Sequence, residues 1–165
     1  MKGMIALALV ATMLFAFCGC VGKKEGPQEL FSHLFCALEL EERCALYTEA
    51  DDREGQKATL RRIYGREDAH QVFSSVSHYA IALSKKDEGV ELHMLKVRHP
   101  SDIESVKRLL RGRIELLQTI DVKNYLGVAY EKALFSARLY QKGSYLFLLA
   151  TRDNDGAIKE IDKIF

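Results

Sequence analysis

Apolar residues fall along this chain in three rhythms, and each rhythm predicts a different kind of element. An unbroken uncharged block runs from Met4 to Phe17 behind a single Lys2. Helical spacing follows: Leu30, Leu34, Phe35, Leu38 and Ala45 share one side, while Glu39, Glu41, Glu42 and Arg43 lie largely on the other, which predicts a helix from Glu29 to Tyr47. Lys57 to Tyr64 predicts a second, short helix closed by Gly65, a residue that adopts the left-handed cap conformation without a Cβ penalty. From Gln71 to Ser84 the rhythm becomes alternation, with Phe73, Ser75, Ser77, Tyr79, Ile81 and Leu83 on one face of a strand. After a polar turn at Lys85 to Gly89, Val90 to Val97 alternates again, Val90, Leu92 and Met94 against Glu91, His93 and Leu95. These two strands are expected to pair as a hairpin.

Pro100 stops the second strand, and Ser101 and Glu104 have the spacing of a reciprocal helix cap. The helix they open is expected to run to Ile120 and to bury Ile103, Val106, Leu110, Ile114 and Leu117. Gly112 in its middle costs up to about 1 kcal/mol relative to alanine. Beyond a link through Tyr125, Leu126 and Tyr130, Ala133 to Gln141 reads as a third strand, Lys142-Gly143 as a tight turn and Ser144 to Thr151 as a fourth. Tyr145 to Ala150 is apolar on both faces, so a central place in the sheet is expected, covered by helices on at least one side. Asp153 or Asn154 caps a last helix that carries Ile158, Ile161 and Phe165. The expected fold class is α+β: a four-stranded, mainly antiparallel sheet of two hairpins, each followed by a helix, with an N-terminal helix, after a signal peptide. The two halves share an order of elements but no residue-level repeat.

The opening block has the three-part layout of an export signal. It closes on Phe17-Cys18-Gly19-Cys20 ahead of a polar Gly22-Lys23-Lys24-Glu25 stretch, and this end is similar to a bacterial lipobox. Signal cleavage needs small side chains beside the scissile bond, and lipid transfer needs a nucleophilic thiol. Gly19 and Cys20 supply both, which makes Cys20 the expected lipidation site, with Cys18 as a second thiol. Each buried methylene contributes about 0.8 kcal/mol, so the two chains of a diacylglyceryl group hold a protein stably where one does not. The rival readings are an uncleaved membrane helix over Gly3 to Gly22 and ordinary secretion after Ala16. The chain thus divides into a signal peptide at 1–19, a flexible tether at 20–28 rich in glycine, lysine, glutamate and proline, and a single α+β domain at 29–165. Its expected location is the outer face of the cell membrane.

Composition narrows the picture further. Removing residues 1–19 leaves 146 of the 165, one domain of ordinary size. Loss of Lys2 takes the formal charge from +1 to zero, without the basic surplus a nucleic-acid binder carries. Cys36 and Cys44 sit on the first predicted helix, about 12 Å apart at 1.5 Å per residue. A disulfide needs α-carbons within about 7 Å, so both are read as buried free thiols.

Strong chemical signatures are missing: there is no Gly-x-Ser-x-Gly, His-Glu-x-x-His or phosphate loop, and no cysteine pair at metal spacing. The acidic run Glu49, Asp51, Asp52, Glu54 lacks the ligand order and central glycine of a calcium loop. No cofactor or metal is expected. Glu67, Asp68 and His70 lie close together, and Ser74, Ser75, Ser77 and His78 crowd the first strand. Ser77 and His78 point to opposite faces of a regular strand and act together only if it bulges. Isolated His93 and His99 are read as surface or internally satisfied residues. Arg98, Lys107, Arg108, Arg111 and Arg113 form the one local basic concentration. It is a candidate surface for anionic lipid headgroups or wall polymers, or else a solvated face supported by Glu104 with Arg108 and Arg111 with Glu115.

Arg62-Ile63-Tyr64-Gly65, the two strands after it, the helix with its basic middle, and Lys142-Gly143-Ser144-Tyr145-Leu146-Phe147-Leu148 together resemble a family of uncharacterised Firmicutes lipoproteins that share domain of unknown function 4358. The resemblance spans Glu29 to the end and includes the signal. It implies a lipid-anchored, extracytoplasmic, single-domain protein and supplies no catalytic residues. The functional expectation is an extracytoplasmic lipoprotein acting as a non-enzymatic binding or envelope-associated module, held to the membrane by its diacylglyceryl anchor. Its expected partner is an envelope protein or anionic wall polymer. The alternative is an envelope hydrolase or metal-dependent enzyme using His70, His78 or neighbouring carboxylates.

Overall fold

A computed structural model describes residues 26–49, 53–85, 89–119 and 133–165. The signal, Cys18 and Cys20, most of the tether, Asp51 and Asp52, and the link through Tyr125 to Tyr130 lie outside the described residues. Helix α1 (Pro27–Ala37) leads into strand β1 (Cys44–Thr48), then α2 (Arg53–Tyr64), a one-turn α3 (Ala69–Val72) and a 3-10 turn at Phe73–Ser75. Strands β2 (Val76–Ser84) and β3 (Glu91–Val97) precede α4 (Ile103–Thr119). The chain ends with β4 (Arg138–Lys142), β5 (Tyr145–Ala150) and α5 (Asn154–Ile164).

The fold is α+β, with two hairpins, each followed by a helix, as the alternation predicts. The sheet, however, has five strands rather than four, in the order β1-β2-β3-β5-β4, antiparallel throughout. The additional strand comes from the second half of the predicted first helix. That helix stops at Ala37 because Glu39 turns into the left-handed region (φ 53°). The Glu39 amide then bonds the Cys36 carbonyl and the Leu40 amide the Phe35 carbonyl, at 2.9 and 3.0 Å. This is a Schellman closure, and its apolar clasp joins Leu40 to Leu34 and Phe35 in the core. The helix also starts earlier than predicted: Pro27 and Gln28, assigned to the tether, form its first turn, and the Gly26 amide is capped by Glu29 Oε2 at 2.8 Å. Cys36 is consequently an exposed thiol on α1, where the sequence predicts a buried one, and Cys44 a buried thiol on β1.

Helices cover both faces of the sheet. On one side α2, α3 and α4 bring Leu60, Tyr64, Ala69, Val106, Leu110 and Leu117 onto Tyr79, Ile81, Leu95, Leu146 and Leu148. On the other, α1 and α5 bring Phe31, Leu34, Phe35, Ala157 and Ile161 onto Ala80, Ala82, Leu92, Met94, Phe147 and Leu149. The small face of β2 has a reason here, since Ala80 and Ala82 make room for the two phenylalanines of α1. β3 is the central strand, and β5, buried from Leu146 to Ala150, lies one strand in from the β4 edge instead of at the centre. Gly65 and Gly143 hold positive φ (62° and 58°) at the close of α2 and in the β4–β5 turn. At the start of α4 the predicted reciprocal cap does not form. Pro100 opens a 3-10 turn instead, and Glu104 pairs forward with Lys107 at 2.9 Å. No helix among the described residues is long and apolar enough to cross a membrane.

Candidate binding cleft and a buried charged network

Two polar constellations stand out, one sealed and one open. The sealed one grows from the alternation of β3, whose second face carries Glu91 and His93 under α4. Both are buried, His93 completely. Arg113 on α4 reaches down to grip Glu91 with two bonds, Nε to Oε2 at 3.1 Å and Nη2 to Oε1 at 2.5 Å. His93 Nε2 lies 3.2 Å from Glu91 Oε2, and its Nδ1 lies 2.9 Å from the Tyr64 hydroxyl of α2. The partners fix the proton positions: the carboxylate only accepts, so Nε2 carries the hydrogen, and Nδ1 accepts from Tyr64.

Burial pushes the Glu91 carboxyl upward, but the bonds and charge of His93 and Arg113 outweigh it and hold the group at about 2. Burial lowers His93 below the ordinary imidazole value against the pull of Glu91, consistent with a neutral ring. Burial, then the nearby Glu91 charge, drives the Tyr64 hydroxyl well above the ordinary phenol value. Every partner in this chain is satisfied, and it ties α2, β3 and α4 together. His93 is therefore an internally satisfied histidine, as its isolation suggested. Arg113, which the sequence grouped with the basic surface, has a side chain only 13% exposed.

The remaining members of that basic group also disperse. Lys107 and Arg111 both turn to Glu104, at 2.9 and 3.7 Å, in place of the expected Arg108 pairing. Arg98 lies elsewhere, at the open constellation. This is a cleft of about 360 Å³ between α2, the α3 turn and β2. Its floor is Leu60, Phe73, Val76 and Tyr79, and its polar rim includes Lys57, His70, Ser74, Ser77 and Arg98. An apolar groove of about 280 Å³, with Leu46, Tyr47 and Thr59, continues past Leu60 and Tyr79.

Several residues singled out by the sequence meet at this cleft, though in roles of their own. β2 does bulge between Val76 and His78, yet Ser77 and His78 do not pair. Ser77 Oγ donates to the Lys96 carbonyl at 3.1 Å. His78 Nδ1 bonds Glu49 Oε1 at 2.9 Å, and the same oxygen takes Gln28 Nε2 at 3.2 Å. Glu49 Oε2 accepts the Tyr79 amide at 3.1 Å. Burial raises the Glu49 carboxyl, but these hydrogen bonds, His78 foremost, bring it below the usual carboxylate range. Glu49 is thus a strut joining α1, β1 and β2. Ser74 Oγ donates to the Gln71 carbonyl at 2.6 Å. Asp68 pairs with Arg66 at 2.6 Å, and Glu67 pairs with Arg61. No group of three or more metal-binding side chains gathers among the described residues.

The cleft was not legible as a site because its donors come from four separate stretches. Lys57, His70 and Arg98 are far apart in sequence, and no motif links them. Comparison of the chain with protein-family models, curated proteins and solved structures returned no match.

Proposed function

We propose that this protein is a lipid-anchored extracytoplasmic binding module, acylated at Cys20 and carrying its α+β domain on the outer face of the cell membrane. The location rests on the leader from Met1 to Cys20 and on the resemblance to the lipoprotein family with domain of unknown function 4358. The role rests on one observation, the open cleft rimmed by Lys57, His70 and Arg98. Binding suits this rim better than hydrolysis, because the Ser74 and Ser77 hydroxyls both donate to backbone carbonyls rather than to a base.

Replacing Cys20 by alanine is expected to abolish fatty-acid labelling and partitioning into the detergent phase, whereas Cys18→Ala leaves both intact. The reverse pattern would move the anchor to Cys18. For the role, a photo-crosslinker at Ser74 in native membranes is expected to capture a discrete adduct that a crosslinker at exposed Lys159 does not.

A further inference from the structure

We propose that the cleft between α2 and β2 binds the phosphate of a phosphomonoester; this rests on reading the cleft as the binding site. Among the described residues Lys57 has no carboxylate partner, and Arg98 has none either, spending only Nε on the Ser74 carbonyl at 3.1 Å. Among the described residues the one carboxylate lining the cleft, Glu49, is saturated by His78, Gln28 and the Tyr79 amide. Among the described residues the rim therefore offers two cations without a carboxylate partner, which favour an anion with several acceptor oxygens.

His70 selects among anions. Its Nδ1 lies 3.1 Å from the Glu67 carbonyl, an obligate acceptor, so Nδ1 carries the hydrogen. In that tautomer Nε2 is an acceptor. A phosphomonoester, with its second pKa near 6, brings both acceptor oxygens for Lys57 and Arg98 and a titratable O–H for Nε2. A carboxylate ionised at neutral pH has no such proton. No covalent bond is made or broken on binding. The volume of about 360 Å³ leaves room for more than the phosphate itself, and the adjoining apolar groove runs on from it.

The test is calorimetric titration of the detergent-solubilised full chain with glycerol 3-phosphate, with glycerate as the carboxylate of matching skeleton. Saturable binding of glycerol 3-phosphate is expected. It should weaken about tenfold in Lys57→Gln and again in Arg98→Gln, as loss of one charged hydrogen bond requires, with thermal midpoints unchanged. Glycerate should bind far more weakly. Dihexanoyl phosphatidic acid, a soluble phosphomonoester lipid, separates the two sources of the group: tighter binding than glycerol 3-phosphate identifies a lipid headgroup, and weaker binding a free solute. The proposal is overturned if neither phosphate probe saturates, if both variants bind like wild type, or if glycerate binds equally well. A negative titration alongside a specific Ser74 adduct removes the phosphate and leaves the binding reading standing. Loss of both removes both.

Discussion

Arg113 and Glu91 lock β3 to α4 in a place where an alternating strand would ordinarily put an apolar side chain. An ion pair this deep contributes little net stability over an apolar pair, yet breaking it on one side strands a charge. Arg113→Met is therefore expected to destabilise the domain by about 3–5 kcal/mol, read as a lowered denaturant midpoint. Tyr64→Phe is milder: it leaves His93 Nδ1 without its donor, at a cost of about 1–3 kcal/mol. At the exposed end of α1, Glu39 holds a left-handed conformation that costs a side chain about 1–2 kcal/mol. Glu39→Gly should recover part of that and raise the unfolding temperature.

At the scale of elements, helix α4 offers the complementary substitution. A Cβ added at Gly112 meets nothing within 4 Å, so Gly112→Ala is expected to stabilise by up to about 1 kcal/mol, measured by thermal unfolding. The alternation of β2 and β3, the apolar run of β5 and Gly143 made both hairpins legible from sequence, Gly65 marked the close of α2, and the spacing of Ile103, Val106, Leu110, Ile114 and Leu117 marked α4. β1 was not, because its five residues follow helix-compatible ones and the stop signal at position 39 is glutamate where glycine is usual. The cap of α4 misled for a related reason: Ser101 and Glu104 have the right spacing, but Pro100 draws the chain into a 3-10 turn first. The pairing of Glu91 with Arg113 spans 22 positions and depends on how α4 folds back over the sheet. The sequence placed His93 and Glu91 on the correct face of β3, while the partner that makes them tolerable there is a tertiary matter.

For the whole molecule, acid is the informative stress, since the buried network joins two helices of one layer, α2 and α4, to the sheet. Glu91 is held at about 2 in the fold against an ordinary 4.5. Its contribution is thus present above about pH 4.5 and fades as pH falls toward 2, on the order of 3 kcal/mol in all. His93 is also lowered, from 6.5. Protonation favours the unfolded chain once pH drops below that value, so loss of stability should begin there and steepen through the Glu91 range. Chemical denaturation from pH 8 to pH 3 is expected to show that monotonic decline, and a rise in stability on acidification would contradict it.

The Gln28–Glu49 bond has a consequence for how far from lipid the domain can work. It fastens the root of α1 beside the cleft, because Glu49 lines that cleft. Eight residue steps separate Gln28 from Cys20, and fully stretched they reach at most about 28 Å. On the proposed acylation of Cys20 the cleft would be leashed to a thin shell of solvent above the bilayer, and any ligand it binds would first have to diffuse into that shell.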